Sequence, residues 1–178
     1  KNRRGDAMQP LIRKIEAVVI SIGVQSGVGT IEAVSEKDDS KKAIFQITSK
    51  TPLMTKDGYQ IGISAIPVKA KIIVFVDSKS PSPMVTPPHI TPLLVIYDQY
   101  DKKGEVCVGA FDKMLYCEQL NLKLHINEGT EIVDLTGKRV DRSELTEKMV
   151  FVFYDRATRS MPVQANPTKL IVTPYSEY

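Results

Sequence analysis

The chain repeats itself. Thr51-Pro52-Leu53-Met54-Thr55-Lys56-Asp57-Gly58 returns seventy-nine positions on as Thr130-Glu131-Ile132-Val133-Asp134-Leu135-Thr136-Gly137. At that offset Ala43, Phe45 and Ile47 fall on Leu122, Leu124 and Ile126, and Ile66 falls on Leu145. Ile72-Ile73-Val74-Phe75 falls on Phe151-Val152-Phe153-Tyr154, and Pro83 on Pro162. Upstream, Gly29-Thr30-Ile31 corresponds to Gly104-Glu105-Val106 after a small gap; near the end, Leu94-Val95-Ile96 corresponds to Leu170-Ile171-Val172. An ordered series at one spacing marks a duplicated unit. The expected organisation is a flexible N-terminus over 1–11, a first β module over 12–98 and a second over 99–178.

Both units read as short strands. In the second, Gly104 to Ala110 is strand-like, and Glu118 to Ile126 alternates through Leu120, Leu122, Leu124 and Ile126, the period-two sign of a half-buried strand. Thr130 to Asp134 is a third strand, closed by the turn Leu135-Thr136-Gly137-Lys138. Asp141 to Glu147 opens like a capping box and supplies one or two helical turns; Met149 to Asp155 and Thr168 to Thr173 complete five strands. That order predicts an all-β fold of two tandem small five-stranded barrels, OB-like or SH3-like, each with a short helical turn. Ile12 to Gly23 is an additional β-prone run, with Ile15, Ala17, Val19 and Ser21 on one face, expected to complete the first barrel or to cover an edge.

Composition narrows the function classes. Apolar residues make up 42% and charged residues 25% of the 178, enough for an ordinary core. The longest apolar stretch, Met149 to Tyr154, is far too short for a helix to cross a bilayer. The net charge of +3 divides into +4 over 1–98 and −1 over 99–178 with both signs interspersed, so no basic face is expected to neutralise phosphates. Trp is absent and aromatics are 7%, which removes stacking platforms for bases. A chain opening at Lys1 fits a mature exported protein after leader removal, or an expressed segment trimmed the same way.

Few residues offer chemistry. Cys107 and Cys117 come close if Gly104–Ala110 and Cys117–Ile126 form a hairpin. A disulfide there closes a short loop worth roughly 2–3 kcal/mol on the chain-entropy model; two reduced core thiols are the other reading. His89 and His125 show no H-x-H or C-x-x-C spacing, so neither a metal site nor a nucleophile with its base is expected, and no enzyme or cofactor with them. Arg4-Gly5-Asp6 is a tripeptide at chance frequency, Asp38-Asp39 reads as a solvated hairpin tip, and Gly23 to Thr30 reads as a bend between strands. The best binding element is the stiff loop Thr158, Arg159, Ser160, Met161, Pro162, Val163 and Gln164, with Ser80 to Pro92 as its counterpart. A stiff loop loses little entropy on binding, although its residues also suit bracing of the module's end.

The segment Thr158-Arg159-Ser160-Met161-Pro162-Val163-Gln164-Ala165, followed by Leu170-Ile171-Val172, resembles the uncharacterised β modules of secreted and cell-wall proteins of Firmicutes, especially Clostridia, found beside copper-amine-oxidase N-terminal-like domains. The first unit departs from that pattern, keeping the Pro of Ser80-Pro81-Ser82-Pro83-Met84 without the Thr-Arg-Ser. The resemblance implies an exported, envelope-associated protein and transfers no catalytic residue. The function expected is a non-catalytic module that binds a protein or a cell-wall component, or acts as a spacer. The alternatives are an OB-type single-stranded nucleic-acid binder, and a copper-handling protein using Met84, Met161, His89 or His125.

Overall fold

The structure, a computed structural model, describes residues 11–80 and 85–176; Arg4-Gly5-Asp6, Pro83 and Met84 lie outside the described residues, as does all but Leu11 of the expected N-terminal segment. The fold is all-β. The first half contains β1 (Ile12–Gln25), β2 (Val28–Ser35), β3 (Lys42–Ile47), β4 (Leu53–Thr55), β5 (Lys71–Asp77), β6 (His89–Ile90) and β7 (Leu94–Asp98). The second contains β8 (Glu105–Ala110), β9 (Tyr116–Cys117), β10 (Leu122–Leu124), β11 (Glu131–Asp134), β12 (Lys148–Tyr154), β13 (Val163–Ala165) and β14 (Lys169–Ser176). A 3₁₀ turn precedes β5 (Ile63–Ala65) and another precedes β12 (Arg142–Leu145). The second is capped by the Asp141 carboxylate, which accepts from the Ser143 N–H.

Neither half is a closed five-stranded barrel. The first half forms one open seven-stranded sheet in the order β4-β7-β5-β1-β2-β3-β6, and the second divides into β11-β14-β12-β8 and β13-β10-β9. Alternation had located strands; it carries no information about which strands pair. The orders nonetheless correspond strand for strand. β4 runs parallel to β7 as β11 does to β14, and β3 parallel to β6 as β10 does to β13. β5 lies antiparallel between β1 and β7, as β12 does between β8 and β14.

These pairings change four of the sequence correspondences. The spacing of seventy-nine holds through the turn after β4, where Gly58 and Gly137 both take a left-handed φ (85° and 88°) and the bridges Met54–Gln60 and Val133–Arg139 match. It holds as far as buried Ile66 and Leu145. The second half is then one residue shorter, and Lys69 and Glu147 take equivalent left-handed positions (φ 71° and 68°). Ile73 and Phe75 therefore match Phe151 and Phe153, one place from the constant-spacing alignment, and a slip of one residue exchanges the faces of a strand. Likewise β8 stands where β1 does, not where Gly29-Thr30-Ile31 of β2 does, because each is the partner of the central strand. Near the ends, Val95 matches Leu170 by its pairing to the preceding parallel strand. Pro87 rather than Pro83 matches Pro162, because Ile90 pairs with Phe45 as Ala165 pairs with Leu124.

Period-two alternation then sorts the apolar residues into three layers. Ile72, Val74 and Val76 face a core with Ala17, Val19, Ile31, Phe45 and Ile47 inside the first half. Val150 and Val152 face a core with Leu122, Leu124, Leu145 and Leu170 inside the second. The opposite faces meet: Met54, Ile73, Phe75, Leu94 and Ile96 pack against Val106, Val133, Phe151, Phe153 and Ile171. At the centre the Phe75 and Phe151 rings sit edge to face, centroids 4.9 Å apart. The rim is polar: Lys169 Nζ donates to Gly58 O at 3.0 Å, and Lys56 pairs with Asp98 at 2.8 Å.

β1 is a central strand rather than an edge cover. A bulge between Val19 and Ser21 shifts its phase, so Ile22 and not Ser21 joins the core. Ser26 and Gly27, at φ 53° and 77°, make the two-residue turn to β2 that matches strand twist.

Candidate functional site

The Thr158–Gln164 loop is held from within. Gln164 N–H donates to Thr158 Oγ1 at 2.9 Å, and Thr158 N–H donates to Gln164 O at 2.8 Å, closing the loop's neck. Thr158 and Ser160 share a hydroxyl bond of 2.5 Å, and Ser160 Oγ donates to Pro162 O at 2.7 Å. The Gln164 side-chain oxygen meets His125 Nε2 at 2.7 Å. The hydroxyls and the amide thus hold the loop's shape, Pro162 is half-buried, and Arg159 and Met161 are left facing solvent, Met161 at 83% exposure. The Met161 sulfur accepts from Asn121 Nδ2 at 3.2 Å. In the first half, Pro88 and Ile90 occupy the places of Val163 and Ala165.

Cys107 and Cys117 are not joined in a disulfide, and both face the same core, the second half's. The expected hairpin is absent, because β8 pairs with β12 while Cys117 pairs with Leu122 across β9–β10. Burial, with the neighbouring Cys117 next in weight, pushes the Cys107 thiol up from 9.0 to about 12. A thiol held protonated is a poor nucleophile and a poor metal ligand. His89 and His125 lie in different halves, and among the described residues no three His, Cys, Asp or Glu side chains gather.

A feature that sequence reasoning missed lies at the mouth of the first half. A cleft of about 680 Å³ opens between the start of β1, the β2–β3 connection and β6. Its apolar lining is half-buried Ile15, Ala43 and Ile90 over the buried Ala17, Ala33 and Phe45. The register explains the hollow, for Ala33 pairs with Ala43 and lies one strand from Ala17, so three methyl groups stand where longer side chains would meet. Around the opening are Arg13, Lys14, Lys37, Lys41 and Lys42, with Glu16 the one acid. Lys14 is engaged by Glu16 at 3.6 Å. Nearby acids are occupied elsewhere: Glu36 pairs with Lys71 at 3.2 Å, and Asp38 accepts from Ser40 N–H and Oγ at 3.0 and 2.6 Å. Those Ser40 hydrogen bonds also hold the Asp38 carboxyl below the usual carboxylate range.

No protein-family profile, curated protein or solved structure matches the chain. No helix among the described residues is long and apolar enough to cross a membrane.

Proposed function

We propose that the protein is a non-catalytic exported or cell-envelope component, built from two copies of one β module, that binds a protein or a cell-wall component. The observation that carries this reading is the Thr158–Gln164 loop, whose polar groups are spent on its own shape while Arg159 and Met161 face outward. A preformed loop with one cation and one polarisable apolar tip gives up little conformational entropy on contact and offers both charge and apolar area. The matching strand orders of the halves support the two-copy reading, and the resemblance of the Thr158–Ala165 segment to Clostridial modules supports an exported location.

The test is retention of the full chain on purified cell-wall fractions and on their protein extracts, compared with an Arg159→Ala/Met161→Ala variant. Saturable retention of the parent protein, weakened about tenfold or more in the variant, is the expected result, since interface anchors are each worth over 1 kcal/mol. No retention at micromolar concentration, or equal retention of the variant, overturns the proposal.

A further inference from the structure

We propose that the cleft at the mouth of the first half is a ligand site for an amphiphilic anion, a small molecule carrying one carboxylate or phosphate head on an apolar body. This site is separate from the Thr158–Gln164 loop, lies in the other half, and stands or falls on its own.

The inward row of β1 runs Arg13, Ile15, Ala17, Val19, and that of β3 runs Ala43, Phe45, Ile47, with Lys41 just before the strand. Each row is apolar within the sheet and ends in a cation at the rim. Lys37 reaches the same rim from the connection beyond β2. A ligand entering tail first meets the half-buried Ile15, Ala43 and Ile90, and its head stops among Arg13, Lys37 and Lys41. The volume, about 680 Å³, lies in the range of small-molecule sites. Five cations against the single lining acid Glu16 favour an anionic head, although Asp38 lies in reach of Lys41, and such charge-assisted bonds are the strong ones. The concave, half-open shape favours a single small molecule over a polymer laid across a flat face.

The second half shows what this position looks like without a site. By strand register, Gly109 matches Ala17, Cys117 matches Ala33 and Leu122 matches Ala43. Leu122 fills the space that Ala43 leaves, with 2% of its surface exposed. Leu120 takes the place of Lys41 and packs into the core; a Cβ on Gly109 would lie 2.8 Å from both Leu120 Cδ1 and Cys117 Sγ. Glu105 takes the place of Arg13, reversing the rim charge. The same strand order is therefore plugged and acidic-edged in one half, hollow and basic-edged in the other. Core positions close up unless something else occupies them, and here the hollow and the cations occur together.

The experiment is calorimetric titration of the full chain with octanoate, octyl phosphate, octan-1-ol and inorganic phosphate. Binding of octanoate or octyl phosphate at least tenfold tighter than both octan-1-ol and inorganic phosphate is expected, and the tighter of the two identifies the head group. Arg13→Glu/Lys41→Leu, which copies the second half's rim with exposed substitutions, should weaken that binding at least tenfold with the melting temperature little changed. Ala43→Leu, which copies the plug, should abolish it; if that variant fails to fold, the rim variant alone decides. Octan-1-ol or inorganic phosphate binding as tightly as the amphiphilic anions, an unaffected rim variant, or no binding up to millimolar concentration overturns the proposal.

Discussion

Phe151→Ala strikes the layer between the halves at its centre. Phe151 is fully buried, and its ring meets the equally buried Phe75 edge to face. Truncation removes the transfer free energy of the ring and leaves a void that both sheets, hydrogen-bonded on either side, can close only in part. The expected loss is about 3–5 kcal/mol, typical for a buried Phe cut to Ala. For a chain of this size each kcal/mol lowers the midpoint by roughly 2–4 °C, so a fall of roughly 6–20 °C should follow. Because the lost contacts belong to both halves, calorimetry should show one transition displaced as a whole. The double variant with Phe75→Ala should reveal a coupling of about 0.5–1.5 kcal/mol for the ring pair. Two separated transitions, one at the parent midpoint, would refute the shared layer, and so would a loss below about 1 kcal/mol, the ordinary effect of a surface change.

Cys107 and Cys117 should resist a thiol reagent at pH 8 in the native protein and react fully once it is unfolded. Because folding raises the Cys107 pKa from 9.0 to about 12, the stability it contributes is complete below pH 9 and declines as pH rises towards 12; Cys107→Ala should flatten that alkaline decline. The Asp134 carboxylate accepts from Thr136 N–H and Oγ1 and from Lys138 N–H, and the Thr136 hydroxyl bond holds its pKa below the ordinary 3.8. Its contribution is present above pH 3.8 and lost as pH falls through the lowered value, so Asp134→Asn should make denaturation in this acid range less steep. Thr158→Ala removes the bonds from Gln164 N–H and to Ser160, and should cost about 1–2 kcal/mol in chemical denaturation while accelerating proteolysis within the loop.

The strands were legible in part: of the expected strand Glu118 to Ile126 only Leu122–Leu124 is extended, because Glu118 to Asn121 turn back to pair Cys117 with Leu122, whereas the turns at Gly58 and Gly137 were legible from the glycines. What stayed hidden was register. Ile72 to Val76 and Val150 to Phe153 are unbroken apolar runs, buried on both faces, so no alternation marks which residue points which way. A single missing residue between Leu145 and Glu147 therefore passed unnoticed and misassigned the faces. Closure of a barrel was unreadable for a related reason, since β3–β6 and β4–β7 are parallel pairs joining distant segments with only two or three residues each. The loop at Thr158 was found from its composition, but only coordinates separate the bracing hydroxyls from the outward Arg159 and Met161. The cleft left no local trace. Ala17, Ala33 and Ala43 become neighbours only when three strands are in register, and Arg13, Lys37 and Lys41 are masked in a charge count by Glu36, Asp38 and Asp39.

Both halves follow one strand order and pack back to back on one apolar layer. Cross-strand amide and side-chain contacts measured by NMR test this arrangement most directly. Cys107 should lie opposite Val152 just as Ile15 lies opposite Val74, Ile132 beside Leu170 just as Leu53 lies beside Val95, and the Phe75 ring against Phe151. Contacts that pair residues 104–110 with residues 117–126 as a hairpin ladder, or that leave Phe75 and Phe151 apart, would contradict it.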